Sequence, residues 1–125
     1  MTKRFDRVTA QSKVDDLRPL LFELAALIRR MKNEAPAEEQ LRAAAAWGRT
    51  HPALITHGLR VARYGEVIAL IGESGAQLKD PETGLLDFPA TLNGRDVLLC
   101  WRLGEEQIAW YHDAEAGFRG RRKLV

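Results

Sequence analysis

Apolar residues in the first part of the chain recur every three or four positions, which is the spacing of an α-helix. The clearest run lies between positions 14 and 31 and predicts a long helix with one apolar side. Its members are Val14, Leu17, Leu21, Leu24, Ile28 and Met31. Asp15 or Asp16 is the predicted N-cap, because Pro19 then falls in the first turn, where no intrahelical donor is needed.

Two shorter helices are predicted on either side of this long one. Residues 5–13 are predicted to form a short helix capped by Asp6. A second helix begins at Pro36, with two glutamates in its first turn, and is expected to run to about Trp47.

Another long helix is predicted to begin near Thr50, whose hydroxyl can cap it, and to stop at Gly75. Its apolar stripe alternates spacings of three and four. The stripe comprises Leu54, His57, Val61, Tyr64, Ile68 and Ile71. Two long helices with matched stripes predict an antiparallel helical pair.

Beyond Gly75 the pattern changes to the alternation typical of strands, over residues 85–92, 95–103 and 107–112. Asn93-Gly94 separates the first two and is the strongest short signal for a two-residue hairpin turn. This turn predicts pairs of Leu92 with Arg95, Phe88 with Leu99, Asp87 with Cys100 and Leu86 with Trp101.

Gly104-Glu105 predicts a second tight turn, which determines how the third strand pairs. Arg102 then faces Gln107, Trp101 faces Ile108 and Leu99 faces Trp110. Side chains alternate between the two faces of a sheet. This register therefore puts Trp110 and His112 on the face that packs on the helices, and Asp87 and Cys100 on the opposite, mixed face.

These elements predict an α+β domain: an antiparallel pair of long helices, with a shorter helix between them, packed on a three-stranded antiparallel β-meander. The whole chain, 1–125, is expected to be a single domain. The helical half covers residues 1–75, and the meander with a basic tail covers residues 76–125. A length of 125 residues with 46% hydrophobic residues is ordinary for one globular domain.

Composition and charge exclude several classes of protein. The 19 Lys and Arg residues exceed the 17 Asp and Glu residues by only two, so nucleic-acid binding would need a local patch. One cysteine cannot form an intramolecular disulfide. The N-terminal residues lack the apolar run of a signal peptide and no stretch is apolar enough to span a bilayer, which predicts a cytoplasmic location without membrane attachment. No cofactor motif and no Cys/His zinc spacing occurs, so neither a cofactor nor a metal is expected.

The first candidate for a chemical role is the segment of residues 79–84. Its proline and glycine predict a tight turn, in which Asp80 accepts backbone hydrogen bonds. Glu82 lies in the same turn, and Asp87 follows it. Carboxylates this close together could hold a hard cation or form an acid/base pair. Acidic turns also occur without either role.

Three further positions have both a chemical and a structural interpretation. His112 precedes Asp113 and follows two aromatic residues, so it could be a base or a strand-end residue bonded to backbone. Cys100 is interpreted as a small buried apolar residue, because a carboxylate opposite it opposes thiolate formation. His57 lies in a helix stripe and is interpreted as a residue at the edge of the core.

The C-terminal tail concentrates four cations in five positions beside Phe118. They are Arg119, Arg121, Arg122 and Lys123. Such a cluster could contact phosphates. A solvated basic tail without a ligand is the alternative.

Three stretches of the second half carry a resemblance to a known family: residues 79–90 (KDPETGLLDFPA), 99–105 (LCWRLGE) and 112–121 (HDAEAGFRGR). Together they resemble the bacterial domain-of-unknown-function family 2203, and the leucine-rich helix around Pro19 is similar as well. That family has no assigned activity, so the resemblance implies the fold and a site region rather than a reaction. It implies ligand-binding residues in or beside these stretches: Asp80, Glu82, Asp87, Trp101, His112, Arg119 and Arg121. No catalytic residue and no metal ligand is assigned.

We expect a small bacterial binding or protein-interaction module without catalytic activity. A homo-oligomer formed through the helix stripes is predicted, because a thin sheet leaves apolar helix surface uncovered. The first alternative is an enzyme or metal-dependent binder of a small anionic ligand using Asp80, Glu82, Asp87 and His112. The predicted register speaks against it, since Asp87 and His112 lie on opposite faces. Nucleic-acid binding through the basic tail is the second alternative.

Overall fold

A computed structural model describes residues 3–46 and 51–124, and within them three helices precede five strands. The helices are α1 (Arg7–Asn33), α2 (Glu38–Ala46) and α3 (Pro52–Glu73). The strands are β1 (Gln77–Asp80), β2 (Leu85–Leu92), β3 (Arg95–Arg102), β4 (Trp110–His112) and β5 (Arg122–Lys123). They form one antiparallel sheet in the order β1-β2-β3-β4-β5. The predicted α+β class is confirmed, and the sheet has two strands more than the predicted meander.

Helix α1 begins at Arg7 because Asp6 caps it. Asp6 Oδ1 accepts a hydrogen bond from the Thr9 N–H at 2.8 Å, and the Thr9 hydroxyl oxygen accepts one from the Asp6 N–H at 2.9 Å. The predicted Asp6 cap is confirmed. The predicted division into two helices is wrong, since one helix runs from Arg7 to Asn33.

Pro19 lies in the interior of α1 rather than in a first turn. A proline at such a position removes one backbone hydrogen bond and costs about 3 kcal/mol. The flanking side chains of Val14, Leu17, Leu21 and Leu24 are at most 3% exposed. Burying each of them stabilises the fold by about 1.5–3 kcal/mol. Burial of the stripe on both sides of the proline thus outweighs the interruption.

The second and third helices occupy the regions predicted for them, but their junction at Trp47 to Thr50 lies outside the described residues. His51 caps α3, and its Nδ1 accepts a hydrogen bond from the Ala53 N–H at 3.2 Å. Gly75 follows α3 with a φ of 94°, as the predicted helix stop requires. None of the described helices is both long enough and apolar enough to cross a bilayer.

The face of α3 that reaches the core differs in part from the predicted stripe. Val67 and Ile71 are fully buried, and Tyr64 and Ile68 pack against the core cluster. Val61, a member of the predicted stripe, is 45% exposed. The helix therefore contacts its neighbours mainly through its C-terminal half.

Strands β2 and β3 form the predicted hairpin. The pairs Leu92–Arg95, Phe88–Leu99, Asp87–Cys100 and Leu86–Trp101 are all confirmed. Asn93 has a φ of 53° and Gly94 a φ of 77°, as a tight two-residue turn requires. The core lies between one face of this hairpin and the helices, with Leu86, Phe88, Leu99 and Trp101 at most 3% exposed.

The predicted pairing of the next strand is wrong by one residue. Trp110 pairs with Cys100 and Tyr111 with Leu99. Strand β4 begins only at Trp110, and before it the Ile108 N–H donates a hydrogen bond to Gln11 Oε1 of α1 at 2.8 Å. This contact with α1 replaces the pairing with β3 that a two-residue turn would produce. A shift of one residue moves every side chain of a strand to the other face.

The two strands that the sequence pattern did not predict lie at the edges of the sheet. β1 pairs with β2, with an irregularity between Leu78 and Asp80. β5 pairs the basic tail with β4 through two residues only. Strands this short contain too few positions for alternation to become visible.

Gly84 ends the turn before β2 with a φ of +66°, and a Cβ placed there would lie 2.8 Å from the Cβ of Leu103. We expect Gly84→Ala to lower the free energy of unfolding by about 2–5 kcal/mol, because the positive φ costs about 1–2 kcal/mol and the collision about 1–3 kcal/mol. Gly94→Ala is the matched control, with a φ of +77° and no atom within 4 Å of the added Cβ. Urea denaturation measures both variants, and equal losses would contradict a role for the Leu103 contact.

Glu23 of α1 and Arg63 of α3 form an ion pair with two contacts, at 2.6 Å to Nε and 2.8 Å to Nη2. The hydrogen bonds from Arg63 hold the pKa of Glu23 below its ordinary 4.5. The pair therefore stabilises the fold fully above that ordinary value and stops doing so as the pH falls through the lower, folded-state pKa.

A double-mutant cycle of Glu23→Gln and Arg63→Gln should give a small favourable coupling energy at neutral pH, because solvent screens exposed pairs. The two side chains are 37% and 39% exposed. The coupling should decrease as the pH falls below 4.5 and should vanish once the Glu23 carboxyl group is protonated in the folded state as well. Thermal unfolding of the four proteins between neutral and acidic pH measures the coupling energy. A coupling energy that does not change with pH would contradict an ion pair between Glu23 and Arg63.

Candidate functional site

The face of the sheet opposite the helices carries buried polar side chains. Because β4 is shifted by one residue, His112 lies on the same face as Asp87 of β2 and Cys100 of β3. These three residues are 2%, 3% and 0% exposed. The prediction that Asp87 and His112 lie on opposite faces is wrong. The objection that these two residues cannot share a site therefore no longer applies.

The three side chains converge on one point. His112 Nε2 lies 3.0 Å from Asp87 Oδ1. One nitrogen, oxygen or sulfur atom of each of Asp87, Cys100 and His112 lies within 4.8 Å of the other two. Within residues 3–46 and 51–124, this is the one group of three or more His, Cys, Asp or Glu side chains that converges in this way.

The hydrogen bonds of His112 determine where its protons lie. Nδ1 is 2.8 Å from the backbone oxygen of Asp113, and because a carbonyl oxygen can only accept, Nδ1 carries a hydrogen. A neutral ring then directs the lone pair of Nε2 at Asp87 Oδ1. Two acceptors cannot bond each other at 3.0 Å. One further positive charge is required between them, either a proton on one of the two groups or a metal ion.

The Cys100 thiol is protonated at neutral pH. Burial, together with the negative charge of Asp87, raises its pKa to about 12 against the opposing effect of Arg121. A thiol of this kind is not a nucleophile. A metal ion, by contrast, deprotonates a coordinating thiol outright.

Arg121 lies directly beside this cluster. Its Nη2 donates to Glu105 Oε1 at 2.6 Å and lies 3.5 Å from the Cys100 carbonyl oxygen. The guanidinium carbon is 5.1 Å from the centre of the Trp110 ring and 4.6 Å from that of Phe118. The Nε of Arg121 is buried and has no hydrogen-bond partner among the described residues.

Three of the other predicted site residues have contacts elsewhere. Asp80 Oδ1 accepts the Glu82 N–H at 3.1 Å, so the predicted turn is confirmed. Glu82 forms an exposed ion pair with Lys32 of α1 at 2.6 Å. Trp101 is buried on the helix side of the sheet, and its Nε1 donates to the Glu105 carbonyl oxygen at 3.0 Å. Ligand binding by Asp80, Glu82 or Trp101 stays a prediction.

The basic tail is not one continuous patch of free cations. The side chain of Arg121 is 12% exposed and bonded to Glu105. Arg119, Arg122 and Lys123 are exposed. Nucleic-acid binding stays an alternative hypothesis, and it would rest on these three side chains.

Exposed apolar residues lie on the helices, mostly outside the predicted stripes. On α1, α2 and α3 they are Val8, Phe22, Leu41, Ile55, Leu59, Val61 and Leu70. Among them, Val61 alone belongs to a predicted stripe. Formation of a homo-oligomer stays a prediction, and its surface would differ from the one that periodicity indicated.

Analysis of the sequence did not identify Cys100 or Glu105 as site residues. A signal for Cys100 was present, because the confirmed hairpin pairs it with Asp87. The missing information was the position of His112, which depends on the contact between Gln11 and Ile108, 97 positions apart. No local pattern reports such a contact.

Comparisons with known proteins agree with the motifs. No curated protein and no solved structure matches the chain. A family model described as "Uncharacterized conserved protein (DUF2203)" matches residues 3–124. Asp87, Cys100 and His112 come one from each of the three stretches that carry the resemblance. The chain therefore belongs to the DUF2203 family, as those stretches implied.

Proposed function

We propose that this protein is a metal-binding module that holds one divalent transition-metal ion at Asp87, Cys100 and His112. The observation that carries the proposal is the pair of acceptors, His112 Nε2 and Asp87 Oδ1, 3.0 Å apart in a buried site. A cation satisfies both acceptors at once. The sulfur of Cys100 adds a third donor within 4.8 Å.

The mixture of donors favours ions of the zinc class. Thiolate and imidazole suit Zn²⁺, Co²⁺ and Cd²⁺, whereas Mg²⁺ and Ca²⁺ prefer sites built from oxygen alone. Histidines that bind metals commonly donate their second N–H to a carbonyl or carboxylate, which orients the ring. His112 has this arrangement through Asp113. Three protein ligands leave one position of a tetrahedral site for water or another small ligand.

The charge of the site balances when a divalent ion is bound. In the metal-free protein the Cys100 thiol is neutral, because its pKa is raised to about 12. With a divalent ion, the Asp87 carboxylate and a Cys100 thiolate together supply two negative charges. These compensate the charge of the ion, which avoids the large cost of an uncompensated buried charge.

Titration of the metal-free protein with Co²⁺ is expected to saturate at one ion per chain and to produce a sulfur-to-cobalt charge-transfer absorption. Cys100→Ala should abolish this absorption, because the chain has no other cysteine. His112→Gln should weaken binding more than about tenfold, since a donor atom is lost. Absorption spectroscopy and competition with a chelator measure both effects.

His57→Gln is the matched control, because His57 lies on α3 and outside the cluster. This variant should bind Co²⁺ with the affinity of the unmodified chain. Circular dichroism verifies that each variant is folded. Zn²⁺ should also raise the Tm of the unmodified chain, since an ion that binds the folded state stabilises it. Either of two results excludes the site. The unmodified chain shows no saturable binding of Co²⁺, or Cys100→Ala binds Co²⁺ with the full affinity of the unmodified chain.

Zn²⁺ binding at neutral pH should release about one proton per ion, which comes from the Cys100 thiol. The thiol supplies a whole proton because its pKa, at about 12, lies far above neutral pH. Affinity should therefore increase as the pH rises. Calorimetry in buffers of different ionisation enthalpy counts the protons, and Cys100→Ala should release one fewer. Release of no protons would contradict coordination by the thiolate.

A further inference from the structure

We propose that a cavity at the start of α1 binds a phosphate group, either as the free ion or as part of a small phosphate monoester. The cavity has a volume of about 290 Å³ and lies between the segment before α1 and the first turns of that helix. None of its described lining residues belongs to the metal site proposed above. The lining residues are Lys3, Arg4, Phe5, Thr9, Ser12 and Lys13.

The wall of this cavity is positively charged. Three of the six lining residues are cations, and no described acidic side chain is among them. Residues 3–13 contain four cations and one acid, Asp6, whose carboxylate caps α1 by accepting the Thr9 N–H. A concave surface lined by charges of one sign attracts small ions of the opposite sign. The cavity is therefore suited to an anion.

Two of the three cations are held in place by the rest of the fold. The stem of Lys3 lies so close to Gly75 that a Cβ added at Gly75 would be 2.9 Å from Lys3 Cδ. The Lys3 ammonium is 5.5 Å from the centre of the Phe5 ring. Arg4 Nη1 donates to a backbone oxygen of β2 at 3.2 Å and lies 3.1 Å from Asp96 Oδ1. Side chains ordered in advance lose less entropy when a ligand binds.

The third cation, Lys13, lacks a close counterion. Its side chain is 29% exposed, and its one ion pair within the described residues, with Asp16, is 3.9 Å long. A charge that is partly removed from water is costly unless an opposite charge compensates it. Ser12 and Lys13 follow Thr9 by three and four positions, so these three residues lie on one face of α1. A bound anion gives Lys13 a counterion and the Ser12 hydroxyl an acceptor.

A phosphate group matches this set of donors better than a carboxylate does. Two ammonium groups, one guanidinium and one available hydroxyl surround the cavity. A phosphate monoester offers them three acceptor oxygens and about two negative charges, whereas a carboxylate offers two oxygens and one charge. A phosphate ion is also smaller than the cavity, and the Phe5 ring forms part of the wall. The remaining space can hold the organic part of a monoester.

Titration of the full chain with phenyl phosphate and with inorganic phosphate, followed by phosphorus NMR, tests this inference. Both should bind saturably, and phenyl phosphate should bind more tightly because its ring occupies the remaining space. Lys3→Gln and Lys13→Gln should each lower the affinity by about five- to tenfold, since each loses a charge-assisted hydrogen bond. Lys79→Gln removes the same charge from an exposed position on β1 and is the matched control. Its affinity should equal that of the unmodified chain.

A chelator in every titration keeps metal ions out of the measurement, so the result does not depend on the metal site. Equal affinities for the two compounds would support the site and assign it to the free ion. The inference is overturned if the unmodified chain shows no saturable binding, or if Lys3→Gln and Lys13→Gln keep full affinity. It is also overturned if Lys79→Gln loses as much affinity as they do, because net charge alone would then explain the binding.

Circular dichroism verifies that each variant is folded. If Lys13→Gln is not, Ser12→Ala takes its place, because it removes a hydroxyl donor from the same face of α1 without changing the charge. This variant should lower the affinity for phenyl phosphate about threefold, as expected for one hydrogen bond. An unchanged affinity in Ser12→Ala would then count against the site.

Discussion

A buried hydrogen bond between His112 and Asp87 links β4 to β2 across β3, and the polar side of the sheet is organised around it. Both residues are at most 3% exposed, so neither side chain can be satisfied by water in place of the other. The bond from Nδ1 to Asp113 orients the ring and makes an additional positive charge necessary. Cys100 lies between the two on the middle strand. The chemistry of this face thus follows from the direction of one imidazole ring.

The two faces of the sheet carry different kinds of side chain. One face packs on α1 and α3 with side chains such as Phe88 and Trp101, and it closes a core shared by both halves of the chain. The other face carries the polar cluster, where Arg121 comes from the segment that leads into β5. Because the helices stabilise the sheet from one side, the other side can contain groups that contribute little to stability. An apolar core needs no such cluster, which is a reason to consider it functional.

The sequence predicted the structure well wherever local interactions determine it. The Asp6 cap, the turn at Asp80 and the hairpin at Asn93-Gly94 each depend on residues close in the chain, and all were predicted correctly. The continuity of α1 through Pro19 and the register of β4 depend on burial and on a distant contact of Gln11. Asp87 and His112 were therefore both named as candidates but were wrongly placed on opposite faces. That both residues lie beside Cys100 could be predicted only from the correct pairing of β4 with β3.

Phe5, which precedes the cap of α1, forms an isolated bridge to Ala90 of β2. The Phe5 N–H donates to the Pro89 carbonyl oxygen at 2.8 Å, and the Phe5 ring meets the edge of Phe88 with their centres 5.1 Å apart. During synthesis the start of the chain leaves the ribosome long before β2 does. The apolar stripe of α1 then stays exposed until the strands that cover it have been synthesised. Contacts between residues so distant in sequence also form slowly. The unfinished chain therefore exposes apolar surface that the folded chain buries, and such exposed surface promotes aggregation.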